Sequence, residues 1–209
     1  MKAVIFDMDG VIIDSEPIHF EVDIQTMKDF GCSISKEELN KYVGTTNEYM
    51  WTDIKNKYKL DKSVEEIINY RSEMVKRKVI ESDLIPIEGI ADLLKELKVK
   101  NIPAAIASSS PRDFIEVVVS KFQLEDYFSC IWSGEEVENG KPAPDIYVET
   151  AKKLGISPEE CIVIEDSKNG VLAAKKAGMK CIGFKNINSG DQDLSKADCI
   201  VSSILDVNI

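Results

Sequence analysis

The 209-residue chain predicts an α/β protein, a parallel sheet flanked by helices on both faces, with an α-helical block inserted after the first strand. Three observations carry that expectation. Short, unbroken apolar runs recur along the chain, and such a run fits a strand buried on both faces better than one with a wet side. Apolar stripes at helical spacing lie between the runs, and strand–helix alternation builds a parallel sheet. Between Asp14 and about Pro86 the alternation stops, and no convincing strand can be read there.

Taken in chain order, the first run is Ala3–Phe6, which leads straight into Asp7, Met8, Asp9 and Gly10. Ser15 is placed to cap a helix with Pro17 in its first turn; Phe20, Ile24 and Met27 share one face of it, and Gly31 can end it. Charged, helical sequence continues through Glu65–Lys78, and Trp51 is expected in the core of this block. The sheet resumes near Ile87. A helix on Ile90, Leu93, Leu94 and Leu97 precedes the run Ile102–Ala107. A stripe of Phe114, Val118 and Phe122 precedes Cys130–Trp132, and one of Ile146, Tyr147, Ala151 and Leu154 precedes Cys161–Ile164. The segment GVLAAKKAG packs as a plain helix before Lys180–Phe184, and Cys199–Val201 is the last run. The expected organisation is a core of residues 1–13 and 86–209 with a helical insert of residues 14–85. An insert at that point would hang over the carboxyl ends of the strands, where open α/β sheets bind their ligands.

Composition narrows the partners. The formal net charge is −11, which argues against nucleic acid and against anionic membrane, since both need basic surface. An anionic substrate must therefore be attracted locally, by a metal ion or a few well-placed donors. The apolar run Val11–Ile13 is too short for a signal segment, and no stretch approaches the length of a membrane span. The five cysteines (Cys32, Cys130, Cys161, Cys181, Cys199) are odd in number and form no C-x-x-C; the last four sit in strand-like runs. They are expected to be buried free thiols in a reducing cytosol, and the chain to be a cytoplasmic monomer.

Four polar clusters fall at expected strand ends: Asp7 with Asp9, Ser108–Ser110, Lys141 in GKPAPD, and Glu165 with Asp166. Strand ends of a parallel sheet point one way, so the clusters can converge. Two carboxylates at the end of a buried strand are costly unless something positive sits there. A hard cation such as Mg2+ answers that need, because it prefers oxygen ligands. An Asp carboxylate can attack a phosphoryl group, and a second carboxyl two residues on points to the same side and can protonate the leaving oxygen. A Ser hydroxyl and a Lys ammonium can hold the phosphoryl oxygens. A calcium loop starting at Asp7 is disfavoured: it would need Asp or Asn at 11, Gly at 12 and Glu at 18, where the chain has Val11, Ile12 and Ile18. Taken singly, Ser108–Ser110 before Pro111 reads as a helix cap and Lys141 as a surface lysine.

Together, DMDGV, IASSS, Lys141 and EDS resemble the motifs of the haloacid dehalogenase (HAD) superfamily, in order and over essentially the whole chain. Its phosphatases and its sugar-phosphate mutases of the β-phosphoglucomutase type look most similar. The resemblance implies a Rossmann-like core with a helical cap, a Mg2+ cofactor and a small phosphorylated metabolite as substrate. By it, Asp7 is the nucleophile and a metal ligand, and Asp9 is the acid/base whose backbone carbonyl also binds the metal. Ser108, with Ser109, and Lys141 hold the phosphoryl group, while Asp166 with Glu165 completes the metal site. His19, Lys76 and Arg112 are further candidates to reach substrate, although a half-exposed helix position for His19 and a solvated helix face for Lys76 compete. Mutases of this type present a cap-loop arginine to the second phosphate. The matching stretch Gly44–Tyr49 has Asn47 there, which cannot supply a bidentate positive fork. The expectation is therefore a phosphatase, with a mutase second and a catalytically silent binding module third. A silent module should have lost Asp7 or a metal ligand, and none is missing.

Overall fold

The computed structural model describes residues 1–42 and 45–209, so Gly44 lies outside the described residues. The chain divides into two units, Met1–Asp14 with Leu84–Ile209, and Ser15–Asp83. Strand β1 (Ala3–Phe6) comes first. The second unit follows, with helices α1 (Glu16–Asp29), α2 (Lys36–Leu39), α3 (Asn47–Tyr58) and α4 (Val64–Glu81). The first unit resumes with α5 (Ile90–Val99), β2 (Ala104–Ser108), α6 (Arg112–Lys121), β3 (Phe128–Ser133) and α7 (Asp145–Leu154). It ends with β4 (Cys161–Glu165), α8 (Lys168–Lys176), β5 (Lys180–Phe184) and β6 (Cys199–Val201).

The strands form one parallel sheet in the order β3-β2-β1-β4-β5-β6. Strand β1 is central, and all four of its residues are fully buried, which explains an apolar run with no polar alternation. From β1 the chain fills one side through β2 and β3, then crosses back to build β4, β5 and β6 on the other. The order therefore reverses at β1, and the crevice at the carboxyl ends of β1, β2 and β4 is where such sheets place a site. The stripe on α5 is buried as expected, and Ile146, Tyr147 and Ala151 of α7 join Ile5, Val163, Val171 and Cys181 in one core cluster. Phe122 follows the last turn of α6 as its C-cap; Ile115 and Val119 share the buried face instead.

The edges depart from expectation. Strand β3 is only half-buried, and Cys199 and Ile200 of β6 are exposed, because an edge strand has a neighbour on one side only. The cysteines divide accordingly: Cys161 and Cys181 are buried, Cys32 and Cys130 are half-buried, and Cys199 is exposed, all as free thiols. Burial pushes the Cys161 thiol up to about 11, so it is inert as a nucleophile.

The described residues of the second unit hold no strand. Its core gathers Met27, Leu39, Trp51, Ile54 and Ile67, with Phe20 and Ile24 packed against them. Ser63 caps α4 by a reciprocal pair of bonds with Glu66. Ser15 precedes α1 but makes no side-chain cap bond, because its own backbone is already helical, at φ −83° and ψ −17°. Gly31, at φ +75°, takes the left-handed turn that ends the helix region. Among the described residues, no helix is long and apolar enough to cross a membrane.

Candidate active site

The β1–β4 ladder runs one residue past the strand: the Asp7 amide donates to the Ile164 carbonyl at 3.0 Å, so the sheet itself fixes Asp7. The next residues wind into a tight turn. The amides of Val11, Ile12 and Ile13 all donate to the Met8 carbonyl, at 3.3, 2.8 and 3.1 Å, and the three side chains are fully buried. Gly10 has φ +81°, and a Cβ there would stand 2.0 Å from Asp166 Oδ2. Only glycine meets both conditions.

Lys141 is the cation of the site. Its ammonium donates to Asp7 Oδ1 at 2.6 Å, to Glu165 Oε1 at 2.8 Å and to the Ala107 carbonyl at 3.0 Å. These bonds use all three of its donors. The ring of Tyr147 lies 5.0 Å from the ammonium, and the Tyr147 hydroxyl donates to Glu165 Oε1 at 3.0 Å. Glu165 Oε2 accepts from the Ser167 amide at 2.9 Å and from its hydroxyl at 3.0 Å. Gly170 makes room for this carboxylate, since a Cβ there would fall 1.5 Å from Glu165 Oε1. Glu165 thus holds Lys141 in place, with each of its oxygens already accepting two bonds.

The charges are crowded. Burial pushes the Asp7 carboxyl up to about 7; Lys141 pulls it down, while Glu165 and Asp9 add to the rise. Burial, then Glu165 and Asp7, also raise Asp166. For Lys141 burial acts downward, but the carboxylates of Asp7 and Glu165 overcome it and raise the ammonium above its ordinary value. The sum is three buried carboxylates against one ammonium. Ligand oxygens of Asp7, Glu165 and Asp166 lie within 4.8 Å of one another. Lys141 takes Asp7 Oδ1 and the Ser189 hydroxyl takes Asp166 Oδ2, while Asp7 Oδ2 and Asp166 Oδ1 carry none of these bonds. An all-oxygen, anionic set of this kind fits a hard divalent cation such as Mg2+.

The serine cluster at the end of β2 divides its tasks. Ser108 is buried, and its hydroxyl oxygen accepts from the Ser110 amide at 3.1 Å. Ser109 is exposed, with its backbone beside Gly134. The Ser110 hydroxyl donates to Asp9 Oδ2 at 2.6 Å, a contact that the sequence did not single out. Tyr147 and Ser167 were likewise missed as site residues, because one reads as part of a helix stripe and the other only as the end of EDS. Arg112 does not join the cluster. Its guanidinium is spent on Glu136 and on the Ile131 carbonyl at 2.9 Å.

The remaining candidates belong to the second unit. Arg71 and Asp23 form a buried ion pair at 2.5 Å, and Arg71 Nη2 lies 3.2 Å from His19 Nδ1. Arginine only donates, so Nδ1 accepts and the proton of the neutral imidazole sits on Nε2. Lys76 pairs with Glu73 one turn earlier on α4 and is mostly covered, which corrects the solvated helix face. Asn47 is exposed at the start of α3, just after its cap residue Thr46.

Residues 4–184 match the family model of the haloacid dehalogenase-like hydrolases. The chain is 34% identical over 182 residues to the phosphorylated carbohydrates phosphatase of Thermotoga maritima, covering 87% of this chain and 84% of that protein. It is 32% identical over 223 residues to the β-phosphoglucomutase of Bacillus subtilis, covering 100% of this chain and 92% of that protein. Among solved structures, CbbY from Rhodobacter sphaeroides in complex with xylulose-(1,5)bisphosphate superposes with a TM-score of 0.89 at 26% identity, covering 99% of this chain and 96% of that one.

Proposed function

The chain belongs to the haloacid dehalogenase-like hydrolase family, and from that premise we propose a Mg2+-dependent phosphatase that cleaves a small phosphorylated carbohydrate through a covalent phosphoryl group on Asp7. The observation that carries this reading is the buried Asp7 carboxylate, fixed by the sheet, bonded by Lys141 and set beside Asp166. Asp7 attacks phosphorus as the bond to the substrate oxygen breaks, and Asp9 gives that oxygen its proton so that an alcohol leaves. Asp9 then takes a proton from water as the water attacks phosphorus; the bond to Asp7 breaks and inorganic phosphate departs. The Ser110 hydroxyl holds one oxygen of Asp9 for both steps. Ser108 and Lys141 face the charge on the phosphoryl oxygens. Asp7, Asp166 and the backbone carbonyl of Asp9 would hold Mg2+, which supplies positive charge against the phosphoryl group. Residues 1–13 and 86–209 carry this chemistry, and the helical insert of residues 14–85 selects the substrate. The protein is proposed to act as a cytoplasmic monomer.

A mutase is the second reading, favoured by the full-length similarity to the B. subtilis β-phosphoglucomutase. Asn47 speaks against it, because a mutase must grip a second phosphate and an amide lacks the charge. Phosphorus NMR on β-glucose 1-phosphate with a trace of the 1,6-bisphosphate and Mg2+ separates the two. Free phosphate should appear faster than glucose 6-phosphate; the reverse order makes the protein a mutase. Loss of all turnover in a folded Asp7→Asn variant is expected, and retained turnover removes Asp7 from its role.

A further inference from the structure

Beyond β5, residues 186–189 reach back to the turn after β1, at Gly10 and Asp14, and to Asp166. The Asn186 side chain, 9% exposed, donates from Nδ2 to the Gly10 carbonyl at 3.0 Å. Asn188 donates from Nδ2 to Asp14 Oδ2, and the Ser189 hydroxyl donates to Asp166 Oδ2. The segment is itself pinned. The Asn188 amide donates to Asn186 Oδ1 at 2.8 Å, and Gln192 ties the Ser189 carbonyl to the Lys168 amide at the start of α8, at 3.0 Å on each side. Between the two asparagines Ile187 is 92% exposed. A loop built for core packing would bury that isoleucine; this one turns its polar groups inward instead.

Asp166 needs such a hold. It is buried beside Asp7 and Glu165, whose charges push it away, and an unrestrained carboxylate would rotate from them. We propose that residues 186–189 form a positioning strap for the metal. In it Ser189 fixes the rotamer of Asp166 by its bond to Oδ2, leaving Oδ1 for the metal, and Asn186 steadies the Gly10 peptide next to Asp9. A Cβ on Gly10 would stand 2.9 Å from Ser189 Oγ and 2.0 Å from Asp166 Oδ2, so turn, strap and carboxylate close on one another with no room for a side chain. Ser189 and Asn186 are positioning residues here, acting through Asp166 and the turn. Groups that orient a metal ligand from behind are typically worth about 10–100-fold in metal affinity.

The inference rests on the reading that Asp7 and Asp166 hold Mg2+. Calorimetric titration of Mg2+ into the whole metal-free protein tests both and keeps them apart. The wild type should bind, Ser189→Ala should bind about 10–100-fold more weakly, and Ile187→Ser, on the outer face, should bind as the wild type does. The thermal midpoint of each metal-free variant checks that the fold is intact. If the alanine variant does not fold, Ser189→Cys keeps the shape with a poor donor and should show the same weakening. Binding within twofold of wild type by a folded Ser189 variant overturns the strap alone. A wild type that binds no Mg2+ overturns the metal reading and the strap with it.

Discussion

Asp7 works against its own surroundings. Its carboxyl, raised from 3.8 to about 7 by burial with help from Glu165 and Asp9, holds a proton in the metal-free native state that the unfolded chain gives up near 3.8. Stability from this group is therefore fully present below about pH 4 and is lost as pH rises through about 7. Asparagine cannot ionise, so metal-free Asp7→Asn should gain in thermal midpoint relative to wild type as pH rises through that window. Saturating Mg2+ should narrow the gap by stabilising the wild type. A difference between the two proteins that stays constant with pH would refute this account. The same residue shows what the chain discloses locally. Asp7, Asp9 and Asp166 are legible because they sit in short motifs at the ends of β1 and β4, and Lys141 because of GKPAPD, although it lies in the turn before α7 and not at the end of β3. Tyr147 and Ser189 are not, nor is the pairing of Ser110 with Asp9, since the partners lie 18, 23 and 101 positions away and nothing local marks such a pairing.

At the scale of elements, every strand read as an apolar run, but the exposure of the edge strands did not. Ala3–Phe6 and Cys199–Val201 look alike as apolar runs, yet one is fully buried and the other mostly exposed. Position in the sheet follows from crossovers, which no local pattern encodes. Caps divide the same way. Ser63 and Glu66 satisfy one another at the start of α4, at 3.1 Å and 2.8 Å, so Ser63→Ala should cost about 1 kcal/mol, measured as a lower urea midpoint at unchanged slope. No measurable loss would show that tertiary packing alone holds this helix end. The serine before α1 has the same residue type, but its helical backbone turns the hydroxyl away from the cap role.

The whole molecule carries a net charge of −11 and is read as acting on an anion. Under the proposed function the attraction is local, from Lys141 and the Mg2+ that the carboxylates would hold, against a net negative charge on the whole chain. Added salt shortens the Debye length from about 30 Å at 0.01 M to about 8 Å at 0.15 M, which screens distant repulsion more than contact at the site. At saturating Mg2+, kcat/KM for a phosphate monoester should therefore rise over that range. A steep fall would mean that long-range attraction dominates, and that the basic side chains gather near the site more than the fold suggests. Each unit also has its own core, one around Ile5, Tyr147 and Val163 and one around Met27, Trp51 and Ile67.

The insertion after β1 has a cost in the order of synthesis. Val4 pairs with Ala104 on one side and Ile162 on the other, so the central strand leaves the ribosome long before either neighbour exists. At about 5–20 residues per second the first partner follows roughly 5–20 s later. In that interval residues 15–83 emerge whole, and their local helix contacts can form at once. The newborn chain can then carry helices in residues 15–83 while its AVIF segment still lacks both partner strands. Until Ala104 and then Ile162 emerge, that segment is open to mispairing and to chaperone capture.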